Sequence, residues 1–163
     1  AEFIVRTAIS IGPGDVDLGL VDLRDLIASI HIGAESAGSP MADINRLGPG
    51  AIVSDFGNNA GLVVGPAIPD WQNRLKEQAT IRVSVNDEPV GKVEKAIDDG
   101  VLASVGFLIE LCAGRGISMP AGTLVSCGAL SGIHDVVVGS VAEVHFGELG
   151  AFRVQFTERQ PAV

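Results

Sequence analysis

Two acids, two polar loops and an imidazole stand out as candidates for chemistry in this chain of 163 residues. Glu2 stands at the head of the first apolar strand and Glu35 at the end of a later one. Carboxylate oxygens are what hard cations such as magnesium or manganese prefer, although acids in these places equally suit a solvated surface. The segment Ser54-Asp55-Phe56-Gly57-Asn58-Asn59-Ala60-Gly61 offers two further groups. Asp55 can ligate a metal through water or shuttle a proton, and Asn59 can donate to a carbonyl. The alternative is an Asx-type turn in which both satisfy local backbone groups. The bend Gly128-Ala129-Leu130-Ser131-Gly132 is a small-residue loop that lets backbone approach a ligand closely, and Ser131 adds a hydroxyl donor. His134 is a candidate general base at neutral pH, or an imidazole hydrogen-bonded in a turn beside Asp135.

Strands and turns must position these groups. Phe3–Ile11 reads as an apolar strand that begins almost at position 1, which suggests a fragment or a processed product. Asp22 is expected to cap a short helix through about Ile30, with Leu23, Leu26, Ile27 and Ile30 on one buried face. A strand near Ile30–Glu35 and a polar stretch through Asn45 should follow. Gly48-Pro49-Gly50 breaks the chain before Ala51–Ser54, Asp55–Asn59 is a loop, and Gly61–Pro66 is another strand. Ala79–Val85 and Val90–Val93 alternate around Asn86-Asp87-Glu88 as a hairpin, and Gly91–Leu102 reads as a charged, solvated connection. A helix over 100–113 carries Leu102, Val105, Leu108, Ile109 and Cys112 at helical spacing and ends at Gly114-Arg115-Gly116. Strands near 123–128, 141–147 and 151–156 close a β-rich α+β domain with two helices.

Composition excludes several functions. A net charge of −9, aromatics at 4% and no Tyr argue against a nucleic-acid partner, which needs a cationic face and stacking platforms. Mean hydropathy is +0.38, yet the uncharged apolar run Gly100–Ile109 is too short to span a bilayer, so no membrane partner is expected. The apolar excess instead suggests surface buried against another chain or a further segment. No signal peptide is evident, and Cys112 and Cys127 suit reduced thiols in a cytoplasmic protein, with a disulfide between them as the alternative. Asp17 stands where the third glycine of a dinucleotide fingerprint belongs, and His31, His134 and His145 lack zinc spacing with the cysteines.

The run Gly122–Asp135, continuing through Val141–Phe156, resembles the C-terminal signature of the fumarylacetoacetate hydrolase superfamily. The branch it most resembles is the 2-oxopent-4-enoate hydratases and their oxalocrotonate decarboxylase relatives. Gly128–Gly132 resembles the family's Gly-Ser-Leu-Thr segment, with Ser131 in place of a Thr; Ser54–Gly61 resembles its Ala-Asp-Asn-Ala-Ser segment, with Phe56 and Asn58 departing. The resemblance implies a mixed β-sandwich roll, a homo-oligomer, and a single catalytic-type domain over residues 1–163. Relatives carry an additional N-terminal region of roughly 70–100 residues. It further implies a Mg2+ or Mn2+ cofactor held by Glu2 and Glu35, Glu2 being the second acid of a Glu-x-Glu pair whose first member would precede position 1. Asn59, Gly128 and Ser131 would then contact a small oxo-acid, and Asp55 and His134 would be catalytic. The implied reaction is hydration of a conjugated enol acid through an enolate, in aromatic catabolism. The alternatives are decarboxylation, acylpyruvate hydrolysis, or an inactive family scaffold.

Overall fold

The computed structural model describes residues 1–15 and 17–158. Two four-stranded sheets face each other across one core, and every pairing between the named strands is antiparallel. The first sheet runs β3-β2-β1-β6, with β1 Glu2–Thr7, β2 Ile27–Ala37, β3 Asn59–Ala67 and β6 Leu124–Ser126. The second runs β5-β4-β7-β8, with β4 Gln78–Val85, β5 Glu88–Ala96, β7 Val141–Phe146 and β8 Ala151–Gln155. This is the β-rich α+β roll expected.

Strand alternation decides which side chains meet. Phe3, Val5, Ile30 and Ile32 of the first sheet face Ile81, Val83, Val144 and Phe146 of the second, all in one buried cluster. The rings of Phe3 and Phe146 sit 5.4 Å apart and tilted by 56°, tying the sheets near the start of β1. The remaining residues of β1 and β2 point to the opposite face. Glu2, Ile4 and Arg6 there lie opposite Gly33, His31 and Ser29 without a break in register.

The long helix, α4 (Val101–Gly114), forms where its spacing predicts, and Val101, Val105 and Ile109 are its buried side. Gly100 precedes it at φ 115°, a backbone conformation that a β-carbon disfavours. The other expected helix does not form as such. Asp22 does cap, accepting from the Arg24 N–H at 2.9 Å, but only a four-residue 3-10 turn, Leu23–Leu26, follows. From Ile27 the chain is already strand, because Ile30 and Ile32 on alternate positions can bury against the second sheet. Three short helices were not expected: α1 Ile44–Leu47, α2 Pro49–Ser54 and α3 Trp71–Arg74. Pro49, read as a break, starts α2, since its missing N–H costs nothing in a first turn. Gly91–Ala96 is likewise not a solvated connection but the second half of β5. Asn86 and Asp87, at φ 51° and 68°, form the two-residue turn whose twist suits a hairpin, so pairing runs from Val85–Glu88 to Gln78–Ala96 with one shift of register between Val83 and Ser84.

Candidate active site

The first sheet's outer face brings the two acids together. Glu2 pairs with Gly33 across β1 and β2, and Glu35 is two residues further along β2 on the same face. That makes the carboxylates diagonal neighbours, with Cα atoms about 7 Å apart. Only glycine permits this packing. A β-carbon at Gly33 would lie 2.1 Å from Ile4 Cδ1 and 2.5 Å from the Val63 carbonyl oxygen.

The two acids differ in environment. Glu2 is 5% exposed, whereas Glu35 lies open at the strand end. Burial pushes the Glu2 carboxyl above its usual range, and the charge of Glu35 raises it further; the Gly128 N–H pulls the other way. The Ser126 hydroxyl donates to Glu2 Oε2. Ser126 was not evident from sequence, although the alternation through Leu124-Val125-Ser126 sets its hydroxyl opposite buried Val125. Glu35 Oε1 accepts from Asn59 Nδ2 at 2.7 Å, so Asn59 orients an acid.

The Gly128–Ser131 bend extends the β1–β6 pairing over the head of β1. Cys127 N–H donates to the Phe3 carbonyl at 3.1 Å and Leu130 N–H to the Ala1 carbonyl at 2.9 Å. Ser131 Oγ accepts from the Ala1 nitrogen at 3.2 Å. Gly128, at φ 100°, turns its N–H toward Glu2. The structure thus gathers Glu2, Glu35, Asn59, Gly128 and Ser131 at one end of the sheet.

Asp55 and His134 stand apart from these contacts. Asp55 ends α2, its N–H bonded to the Ala51 and Ile52 carbonyls at 3.1 and 3.2 Å, and its own carbonyl accepting from Asn58 N–H. No hydrogen bond joins its carboxylate to either glutamate among the described residues. His134 packs over β5, where a β-carbon on Gly91 would lie 2.8 Å from Nε2 and 3.0 Å from the Ser131 carbonyl oxygen. Its Nε2 is buried without a hydrogen-bond partner among the described residues.

Among the described residues no three His, Cys, Asp or Glu converge. Two oxygen-donating carboxylates, one buried and destabilised by the other's charge, nevertheless fit a divalent cation. Magnesium commonly takes one or two carboxylates and fills its remaining positions with substrate oxygens and water.

No protein-family model matches the sequence, and no curated protein matches it. Solved structures do match. The 4-oxalocrotonate decarboxylase from Pseudomonas putida G7, complexed with calcium and acetate, aligns with a TM-score of 0.75 at 23% identity, over 95% of this chain and 57% of that one. The 5-carboxymethyl-2-hydroxymuconate delta-isomerase from Mycobacterium smegmatis aligns at 0.67 and 15% identity, over 98% and 58%. Fumarylpyruvate hydrolase from Pseudomonas aeruginosa, in complex with Mn2+ and pyruvate, aligns at 0.65 and 16%, over 97% and 64%. The chain therefore spans between 57% and 64% of the length of these three enzymes. No helix among the described residues is long and apolar enough to cross a membrane. Two antiparallel sheets in this order, matched across nearly the whole chain, give the protein the fold of the fumarylacetoacetate hydrolase superfamily.

Proposed function

We propose that this chain is the catalytic-type domain of a divalent-metal-dependent lyase that hydrates a small 2-hydroxy-dienoic acid. The observation that carries the reading is buried Glu2 diagonal to Glu35 beneath the Gly128–Ser131 bend. The similar decarboxylase and hydrolase structures, complexed with magnesium and with Mn2+, support Mg2+ or Mn2+ as the cofactor. Bound there, the cation would polarise the 2-oxo and carboxylate oxygens of the substrate and stabilise enolate charge. Glu2 and Glu35 hold the cation. Asn59 fixes the orientation of Glu35 through its 2.7 Å hydrogen bond. The Ser131 hydroxyl binds the substrate carboxylate, and Gly128, its N–H turned to Glu2, lets the substrate lie close against the backbone of the bend. His134, its Nε2 unpaired among the described residues and packed over Gly91, carries a proton to or from the substrate, with Asp55 as the second shuttle.

Decarboxylation through the same enolate is the second reading, favoured by the TM-score of 0.75 with a decarboxylase. An inactive scaffold is the third, favoured by the absence of a third converging acid among the described residues. Titration calorimetry with Mg2+ and Mn2+, followed by an oxo-acid panel watched by ultraviolet loss of the conjugated dienol, tests all three. Metal binding with dienol loss and no carbon dioxide supports hydration, and release of carbon dioxide supports decarboxylation. Absence of metal binding overturns both enzymatic readings. Exposed Val53, Phe56, Phe107 and Ile133 support a homo-oligomer, which sedimentation velocity tests.

A further inference from the structure

A second set of reactive groups lies on the same outer face. Ser29 Oγ and His31 Nε2 are 2.9 Å apart, and His31 Nδ1 is 3.0 Å from the Gly65 carbonyl oxygen. A carbonyl oxygen only accepts, so in the neutral ring the proton sits on Nδ1. Nε2 is then the lone-pair nitrogen, and the Ser29 hydroxyl donates to it. That polarity is what a base acting on a serine requires, with the carbonyl as the group that orients the ring.

The fold makes this arrangement through an irregularity. Two steps along β2, His31 to Gly33, oppose three along β3, Ala67 to Val64, so the ladder bulges. Gly65 and Pro66 lie within the bulge, and the carbonyl of Gly65 accepts from the imidazole. Arg6 lies directly opposite Ser29 on the same face, exposed, and in no ion pair among the described residues. Leu124, opposite Arg6 on β6, is exposed beside it. Ser29 and His31 are each half-buried, open enough to be reached.

We propose that Ser29 and His31 form a nucleophile–base pair that accepts acyl groups from activated esters carrying a negative charge, with Arg6 as the seat of that charge. Ser29 Oγ bonds to the acyl carbon while its proton passes to His31 Nε2. The bond from that carbon to the leaving oxygen then breaks, and the leaving group takes the proton. Water reverses these steps to release the acid.

The test uses the whole chain in EDTA, so its outcome is independent of the cation reading. Two probes are compared, each against its uncatalysed rate: neutral 4-nitrophenyl benzoate and anionic 4-nitrophenyl 4-sulfobenzoate, whose sulfonate cannot attack its own ester. The expected result is a burst of one nitrophenolate per chain and an acyl adduct mapped to Ser29, absent in Ser29→Ala. In His31→Gln the burst slows about a hundredfold. In His31→Ala added imidazole restores it, a response that a residue merely filling the bulge would not give. The anionic ester reacts faster than the neutral one, and Arg6→Gln removes the difference. No adduct at Ser29, or one forming equally fast in folded His31→Gln, overturns the pair. Equal rates for the two esters on the unaltered chain overturn the anionic class.

Discussion

Gly33→Ala is the sharpest test of how the sheet sets the two acids. The added β-carbon would meet the Val63 carbonyl oxygen at 2.5 Å and Ile4 Cδ1 at 2.1 Å. Ordinary contact begins near 3.4 Å, so relief needs a shift of about 1 Å. Ile4 is 0% exposed, so its side chain has little room to turn away. The carbonyl belongs to β3 backbone and cannot move without opening the β2–β3 pairing. Overpacking of this kind costs about 1–3 kcal/mol. In a domain of this size that lowers Tm by roughly 3–9 °C. Gly50→Ala is the control, because nothing lies within 4 Å of a β-carbon there and the residue sits in α2. It should stabilise by about 0.5–1 kcal/mol through chain entropy. Thermal and urea denaturation read both, and Mg2+ calorimetry should show weaker binding in Gly33→Ala alone, since Glu2 and Glu35 flank the displaced residue. A Gly33→Ala variant as stable as the parent, with unchanged metal affinity, would refute the claim that close packing at Gly33 fixes the site.

Glu2→Gln reports on the buried acid. Its folded carboxyl is raised by burial and then by Glu35, so its stabilising share is complete below the ordinary 4.5 and is lost as pH climbs through the higher folded value. Metal-free Glu2→Gln should therefore be the more stable protein at pH 7, and saturating Mg2+ should reverse the order; urea titrations with and without metal decide it. Asn59→Ala removes the 2.7 Å donor to Glu35 and should weaken Mg2+ binding about tenfold while leaving Tm nearly unchanged. Cys127 is pushed up to about 11, by burial first and Glu2 second, so iodoacetamide at pH 8 should spare it in the folded chain and modify it after unfolding. Rapid labelling of native Cys127 would place the thiol outside this environment.

What the sequence reveals depends on whether a local signal has a competitor. The hairpin around Asn86-Asp87 and the helix α4 were legible because turn chemistry and apolar spacing agreed with the tertiary fold. The stretch Leu23–Ile30 misled because its buried residues suit a helix as well as a strand. Only the facing Ile81 and Phe146 of the second sheet, distant in sequence, decide for the strand. Pro49 carried two meanings, break or first turn, and the neighbouring residues did not separate them. The same limit applied at the candidate site. The acids and the small-residue bend were visible as residue types, but Ser126 and the His31–Gly65 contact arise from register across strands that lie tens of residues apart. The bulge opposite His31 is the clearest case. Pro66 is readable as a residue that donates no backbone hydrogen bond, yet that His31 donates to the neighbouring Gly65 carbonyl follows only once β2 and β3 are aligned. A strand register is thus the quantity that turns this chain's list of polar residues into chemistry, and substitutions at Gly33 and Gly65, where backbone meets backbone, should disturb it more than any single acid does.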